Sequence, residues 1–177
     1  CCGECRDKTS LIRHVAMMPL TETSLLHQII HLYKYEYIES LEPVLEALIT
    51  SFFATYRMSS VDFVIPVPLH PKRFVERGFN QSERIAHMVS RVTGIPFLDP
   101  LKRVVHTIKQ ATLDRRGREA NVHNAFVVQK EYDLLLSQKN VVLIDDVYTT
   151  GSTLSQCASA LKTANVGEIS GWSIARG

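Results

Sequence analysis

The spacing of apolar side chains changes several times along this chain, and each change predicts an element. Over residues 24–35, Leu25, Leu26, Ile29, Ile30, Leu32 and Tyr33 recur at helical spacing. Over 38–56, Leu41, Leu45, Leu48, Ile49, Phe52 and Phe53 do the same, with Pro43 tolerable in a first turn. Residues 62–67 shorten to a buried strand bounded by Pro66 and Pro68, and a loop rich in Pro, Lys and Arg follows. A helix is expected over 80–93, stopped by Gly94 and Pro96, then a short strand over 98–101. Residues 103–121 have no apolar period and read as a long basic loop. Strands at 125–129, 141–145 and 169–175 and a helix over 152–164 complete the pattern. Strands alternating with helices predict an α/β fold, a mainly parallel sheet flanked by helices. The two amino-terminal helices are expected to dock on that sheet, with another subunit as the alternative.

Size fits one such domain: 177 residues, 45% of them hydrophobic. No apolar run approaches the roughly 20 residues of a membrane span, and no secretory leader is visible. No membrane insertion is expected, and the expected compartment is the cytoplasm, with the inner face of the membrane as a second place of work. A net charge of +2 does not by itself call for nucleic acid. Charge is concentrated, however: residues 102–118 hold six Lys or Arg and one acid, Asp114.

Three of the four cysteines stand in Cys1-Cys2-Gly3-Glu4-Cys5. Cys2-x-x-Cys5 is half of a tetrahedral zinc site, which needs a second pair of ligands. The chain opens on cysteine rather than Met, so a preceding segment with that second pair is expected. Residues 1–22 then read as the remnant of a zinc-ribbon-like segment and 23–177 as the domain proper. A loose stub and adventitious oxidation are the alternatives, and His14 reads as a surface histidine rather than a ligand.

The chemistry concentrates in Val141-Val142-Leu143-Ile144-Asp145-Asp146-Val147-Tyr148-Thr149-Thr150-Gly151-Ser152-Thr153. A buried strand delivers two carboxylates to a turn of hydroxyls around one glycine, and a helix begins there. Helix-start N–H groups suit a phosphate, and carboxylates accept hydrogen bonds from sugar hydroxyls. A simple helix cap is the plainer reading. A P-loop NTPase is excluded, because Gly3, Gly78, Gly94 and Gly117 are the only upstream glycines and none begins G-x-x-x-x-G-K-[ST]. The pattern resembles the ribose-phosphate signature of type I phosphoribosyltransferases, which bind 5-phosphoribosyl 1-diphosphate (PRPP). That resemblance implies Asp145 and Asp146 at the ribose hydroxyls, directly or through Mg²⁺. It also implies Thr149, Thr150, Gly151, Ser152 and Thr153 around the 5′-phosphate. Many purine-salvage members carry an acid where this chain has Thr149, so this turn offers no obvious base.

A second loop, residues 68–81, combines the cations Lys72, Arg73 and Arg77 with Gly78 before a helix, a composition suited to a diphosphate. Pro66-Val67-Pro68-Leu69 followed by Arg77-Gly78-Phe79-Asn80-Gln81 resembles the ComF family of phosphoribosyltransferase-like competence proteins. Gln110, Leu113, Arg118, Asn121, Ala125 and Phe126 match that family's flexible-loop segment, and Leu32-Tyr33-Lys34-Tyr35 its helix-terminal motif. The resemblance implies a diphosphate site at Pro68, Leu69, Lys72, Arg73 and Arg77. It implies a hood over that site with Lys109, Gln110, Arg116 and Arg118 as contacts, and a four-cysteine zinc ribbon at the start of full-length members. It further implies a role in natural transformation, with PRPP, single-stranded DNA and competence-machinery proteins as partners. The alternative to a transferase with an unnamed acceptor is a protein that keeps the PRPP site but acts as a DNA-binding or interaction factor.

Overall fold

The computed structural model describes residues 10–21, 25–35, 39–104 and 125–177. Its main sheet has four parallel strands in the order β1 (Arg13–Pro19), β6 (Ile169–Arg176), β5 (Val141–Tyr148), β2 (Phe63–Pro66). Helices α1 (Leu25–Tyr35) and α2 (Glu42–Thr55, entered through a 3₁₀ turn at Glu39–Leu41) precede β2. Helices α3 (Pro71–Arg77) and α4 (Gln81–Thr93) follow it. A separate antiparallel pair joins β3 (Leu101–Arg103) to β4 (Phe126–Val128). Helix α5 (Asp133–Leu136) then leads to β5, and α6 (Ser152–Lys162) crosses from β5 to β6.

Strand β5 shows why the sheet is central. Val141 and Leu143 point into a core shared with Leu154, Cys157 and Leu161 of α6. Val142 and Ile144 point into the opposite core, with Ile85 and Val89 of α4, Leu45 and Ile49 of α2, and Ile30 and Tyr33 of α1. Both faces are covered, as an unbroken apolar strand requires. The Val, Leu and Ile side chains named on β5, α2, α4 and α6, at 1% exposure or less, each contribute roughly 1.5–3 kcal/mol of burial. The amino-terminal helices thus dock within the chain. Tyr33 donates to Glu42 (3.0 Å), and Arg84 of α4 bonds the same carboxylate oxygen (2.6 Å).

Four features depart from the sequence reading. The strand Arg13–Pro19 lies in the stretch set apart as an amino-terminal remnant, yet it pairs with β6 from Arg13↔Ser170 to Pro19↔Arg176. Its partner is about 155 residues away, which no local pattern encodes. The expected loop 68–81 contains α3, whose sequence carried the signal: Pro71 at the first helical position and Gly78 (φ 77°) just past the end. The strand expected at 98–101 forms at Leu101–Arg103. Finally, β5 does not stop at the acids but runs on to Tyr148, because β6 continues beside it through Tyr148↔Arg176.

Candidate functional site

Parallel pairing sends the segments after β2 and β5 out of the same sheet edge, where α/β folds place ligands. The register Pro66↔Ile144 brings Val67 and Pro68 level with the two acids, and the Val67 N–H donates to the Ile144 carbonyl (2.9 Å). Two motifs far apart in sequence therefore begin side by side.

The first wall is the turn after β5. Asp145 Oδ1 accepts from its neighbour's backbone, the Asp146 N–H, at 2.9 Å, and from Ser82 Oγ at 2.9 Å. Ser82, the second residue of α4, directly follows Arg77-Gly78-Phe79-Asn80-Gln81, so the acid is bonded to the residue next to that motif. Asn80 is the hinge of the contact: its Oδ1 caps α4 at the Ser82 N–H (3.2 Å), and its Nδ2 donates to the Val67 carbonyl (3.0 Å). Gly151 occupies the cap position of α6 at φ 73° and offers no side chain, while Thr150 Oγ1 accepts from the Ser152 N–H at 3.4 Å. Thr149, Thr150, Gly151, Ser152 and Thr153, with Asp145 and Tyr148, enclose a small cradle of about 30 Å³ at that helix start. Glycine is required there, since a Cβ would meet Tyr148 Cζ at 2.7 Å and Cε2 at 2.9 Å.

The second wall is a cleft of about 520 Å³ on the α4 side of Asp145. Pro68 and Leu69, two of the residues the resemblance puts at a diphosphate, line it. Lys72 and Arg73 stand instead on the exposed side of α3, Arg73 3.6 Å from Glu76, and Arg77 turns to Gln81 Oε1 (3.3 Å). The cations in the cleft wall are Lys102 and Arg103 of β3. Burial lowers the Arg103 pKa, and the charges of Arg73 and Asp145 both act on it, so the three share one electrostatic neighbourhood.

Sequence reasoning missed His70, Asn80, Glu83 and Asp99 in this wall. Asp99 is open to solvent along one side, yet its carboxyl is pushed up from 3.8 to about 6. Desolvation is the main cause and the Glu83 charge the second, while Lys102 pulls the other way. The only signal in the sequence was an acid beside Pro100, too common to read. Cys157, fully buried under Asp145, has its thiol pKa raised by that burial and packs as core.

Lys109, Gln110, Arg116 and Arg118, and the zinc candidates Cys2 and Cys5, lie outside the described residues. Among the described residues no group of three or more His, Cys, Asp or Glu gathers as a metal site. Magnesium does not require one: it is held by one or two carboxylates together with substrate phosphates and waters. The hard oxygens of Asp145 and Asp146 fit that need. No helix among the described residues is long and apolar enough to cross a membrane.

No family model matches the chain. Individual relatives do. Competence protein F of Haemophilus influenzae is 38% identical over 126 residues, 69% of this chain and 53% of that protein. DNA utilization protein YhgH of Escherichia coli K12 is 28% identical over 99% of this chain and 77% of its own length. Competence protein ComFC of Streptococcus pneumoniae is 26% identical over 81% of this chain and 60% of its own. This chain therefore spans about half to three quarters of these relatives.

Two solved structures share the fold. Adenine phosphoribosyltransferase of Leishmania tarentolae gives a TM-score of 0.50 at 12% identity, covering 88% of this chain and 76% of that one. Glutamine PRPP amidotransferase of B. subtilis gives 0.50 at 20% identity, covering 76% of this chain and 26% of that one. Competence-protein relatives on a type I phosphoribosyltransferase fold lead to one assignment: the chain belongs to the ComF family of phosphoribosyltransferase-like proteins.

Proposed function

We propose that this protein binds PRPP across the edge of its sheet and serves the uptake and use of DNA in competence. The observation that supports this most is the 2.9 Å hydrogen bond between Ser82 and Asp145, which joins the two ligand-binding motifs into one surface. Asp145 and Asp146 accept hydrogen bonds from the ribose hydroxyls, and the glycine-capped start of α6 and its hydroxyls receive the 5′-phosphate. The cleft of Pro68, Leu69, Lys102 and Arg103 receives the diphosphate, with Lys72 and Arg73 adding charge from outside. Asp145 and Asp146 would hold Mg²⁺, which would supply charge neutralisation for the diphosphate.

In a transfer reaction, a nucleophile's lone pair forms a bond to ribose C1 as the C1–O bond breaks and diphosphate leaves with the electron pair. The nucleophile's proton then needs an acceptor. Thr149 cannot serve, but Asp99 exchanges a proton near pH 6, the range suited to acid–base work at neutral pH. Asp99 gives a transferase a proton acceptor that a silent PRPP-site factor would not need. The names of the relatives, two competence proteins and a DNA utilization protein, favour a role beside DNA for either.

Calorimetry with PRPP and Mg²⁺ tests binding. Micromolar affinity is expected, and Asp146→Asn should weaken it at least about tenfold, the loss of a charged hydrogen-bond acceptor. Unchanged affinity in that variant overturns the site. Diphosphate release with candidate amines and nucleobases, beside salt-dependent binding of single-stranded DNA, then separates transferase from interaction factor.

A further inference from the structure

Strand β1 brings an aromatic side chain to the phosphate turn that the proposed chemistry does not use. The His14 ring stacks on Tyr148, with centroids 3.9 Å apart and planes 24° from parallel. Gly171 makes room for it: a Cβ at Gly171 would meet His14 Cδ2 at 3.0 Å and Leu154 Cδ1 at 3.4 Å. His14 Nε2 lies 3.1 Å from Ser173 Oγ. The single hydroxyl proton of Ser173 goes to the Ala175 carbonyl at 2.9 Å, so the hydroxyl oxygen accepts and His14 Nε2–H donates. One tautomer and one ring orientation follow. Burial, and then the charge of Arg176, keep the imidazole neutral, lowering its pKa to about 4.

Tyr148 carries this order onward. It is the last residue of β5 and also a wall of the phosphate cradle, where its ring edge and hydroxyl close over Gly151. A tyrosine ring free to change rotamer at this point would fill or open the cradle. His14 stacks on the ring, and the Arg176 guanidinium lies over it 5.6 Å from its centroid, contacts that restrict the rotamer. We propose that His14 is a positioning residue for the phosphate turn, pinning Tyr148 against Gly151 so that the cradle keeps the shape that receives a sugar phosphomonoester. The inference rests on the reading that this cradle takes the 5′-phosphate, and it adds a dependence of that site on the amino-terminal strand.

Calorimetry of the full chain with two probes, ribose 5-phosphate and inorganic diphosphate with Mg²⁺, decides the matter. His14→Ala should weaken ribose 5-phosphate by about two- to tenfold, the worth of an aromatic pair, and leave diphosphate unchanged. His14→Phe keeps the stack and should restore most of the affinity. In a Tyr148→Leu background, His14→Ala should cost nothing further, because the histidine acts only through that ring. Equal ribose 5-phosphate affinity in wild type and His14→Ala overturns the proposal, as does the same loss in both backgrounds. Wild type that binds diphosphate but not ribose 5-phosphate overturns the reading of the cradle itself, and the positioning role with it.

Discussion

The turn after β5 and the segment after β2 leave adjacent strands and face one another, yet they are built on opposite principles. The turn is held from every side: Asp145 by Ser82 and its own neighbour's N–H, Gly151 by Tyr148, Tyr148 by His14. It carries no cation among residues 149–153 and offers backbone and hydroxyls. The segment after β2 ends in a seven-residue helix that buries none of its residues and presents Lys72 and Arg73 to solvent. One end of the site works by fixed geometry, the other by movable charge. Preorganised donors gain strength by having nothing to rearrange when the ligand arrives, whereas exposed charges are screened and act over distance.

The sharpest way to break this contrast is Gly151→Ala. The substitution adds a Cβ at φ 73° where Tyr148 already sits. A left-handed non-glycine residue and an overpacked ring together should cost about 2–4 kcal/mol, visible as a large drop in thermal midpoint, with ribose 5-phosphate binding lost. Gly78→Ala is the matched control on the other segment. Its φ is 77°, but no atom lies within 4 Å of a Cβ there, so only the conformational cost of about 1–2 kcal/mol is expected. Equal losses at the two glycines would erase the distinction between a packed turn and an open one.

Ser82→Ala comes next. Ser82 is 5% exposed and its hydroxyl donates to Asp145, so removing it takes a charge-assisted bond from the carboxylate. A stability loss of about 1.5–3 kcal/mol is expected, with PRPP affinity falling alongside it. By contrast, Arg73→Ala should leave the thermal midpoint within experimental error, since its side chain is 54% exposed and its partner Glu76 60%. Its mark should be kinetic and salt-dependent: weaker diphosphate binding at low ionic strength, by up to about fivefold, vanishing at high salt. An Arg73 variant that unfolds easily, or whose defect ignores salt, would show that α3 is more than a carrier of charge.

The same contrast explains what the sequence made legible. Val141–Ile144 announced the central strand because both faces are buried, and Asp145 through Thr153 marked a candidate site because acids, hydroxyls and glycine fall in a fixed order. Both signals are local. The hydrogen bond from Ser82 to Asp145 was not legible, since it depends on β2 and β5 being neighbours. Nor was β1, an edge strand whose partner lies at the far end of the chain, and so His14 passed for a surface residue. Cations fared worst: Lys72, Arg73 and Arg77 read as the diphosphate clamp, but helix α3 turns them outward or aside, and Lys102 and Arg103 from a different strand line the cleft. Composition shows that cations are present but not which way they point, because helix phase decides where a long side chain ends.

The smallest effect probes both walls at once through pH. His14 is lowered from 6.5 to about 4, so between those values the unfolded chain takes up a proton that the folded chain refuses. Its contribution is complete above about pH 6.5 and fades as pH falls. Asp99 is raised from 3.8 to about 6, so the folded chain keeps a proton that the unfolded chain has released. Its contribution is complete below about pH 3.8 and fades as pH rises. Between about pH 4 and 6 the two slopes oppose each other, and because Asp99 is the more open to solvent, a shallow net rise with pH is expected from the pair. Asp99→Asn should steepen that rise, and His14→Phe should turn it into a decline over the same window, read from thermal midpoints in matched buffers. If both variants keep the wild-type slope, neither group is desolvated as described, and the fixed wall loses the neutral imidazole on which Tyr148 rests.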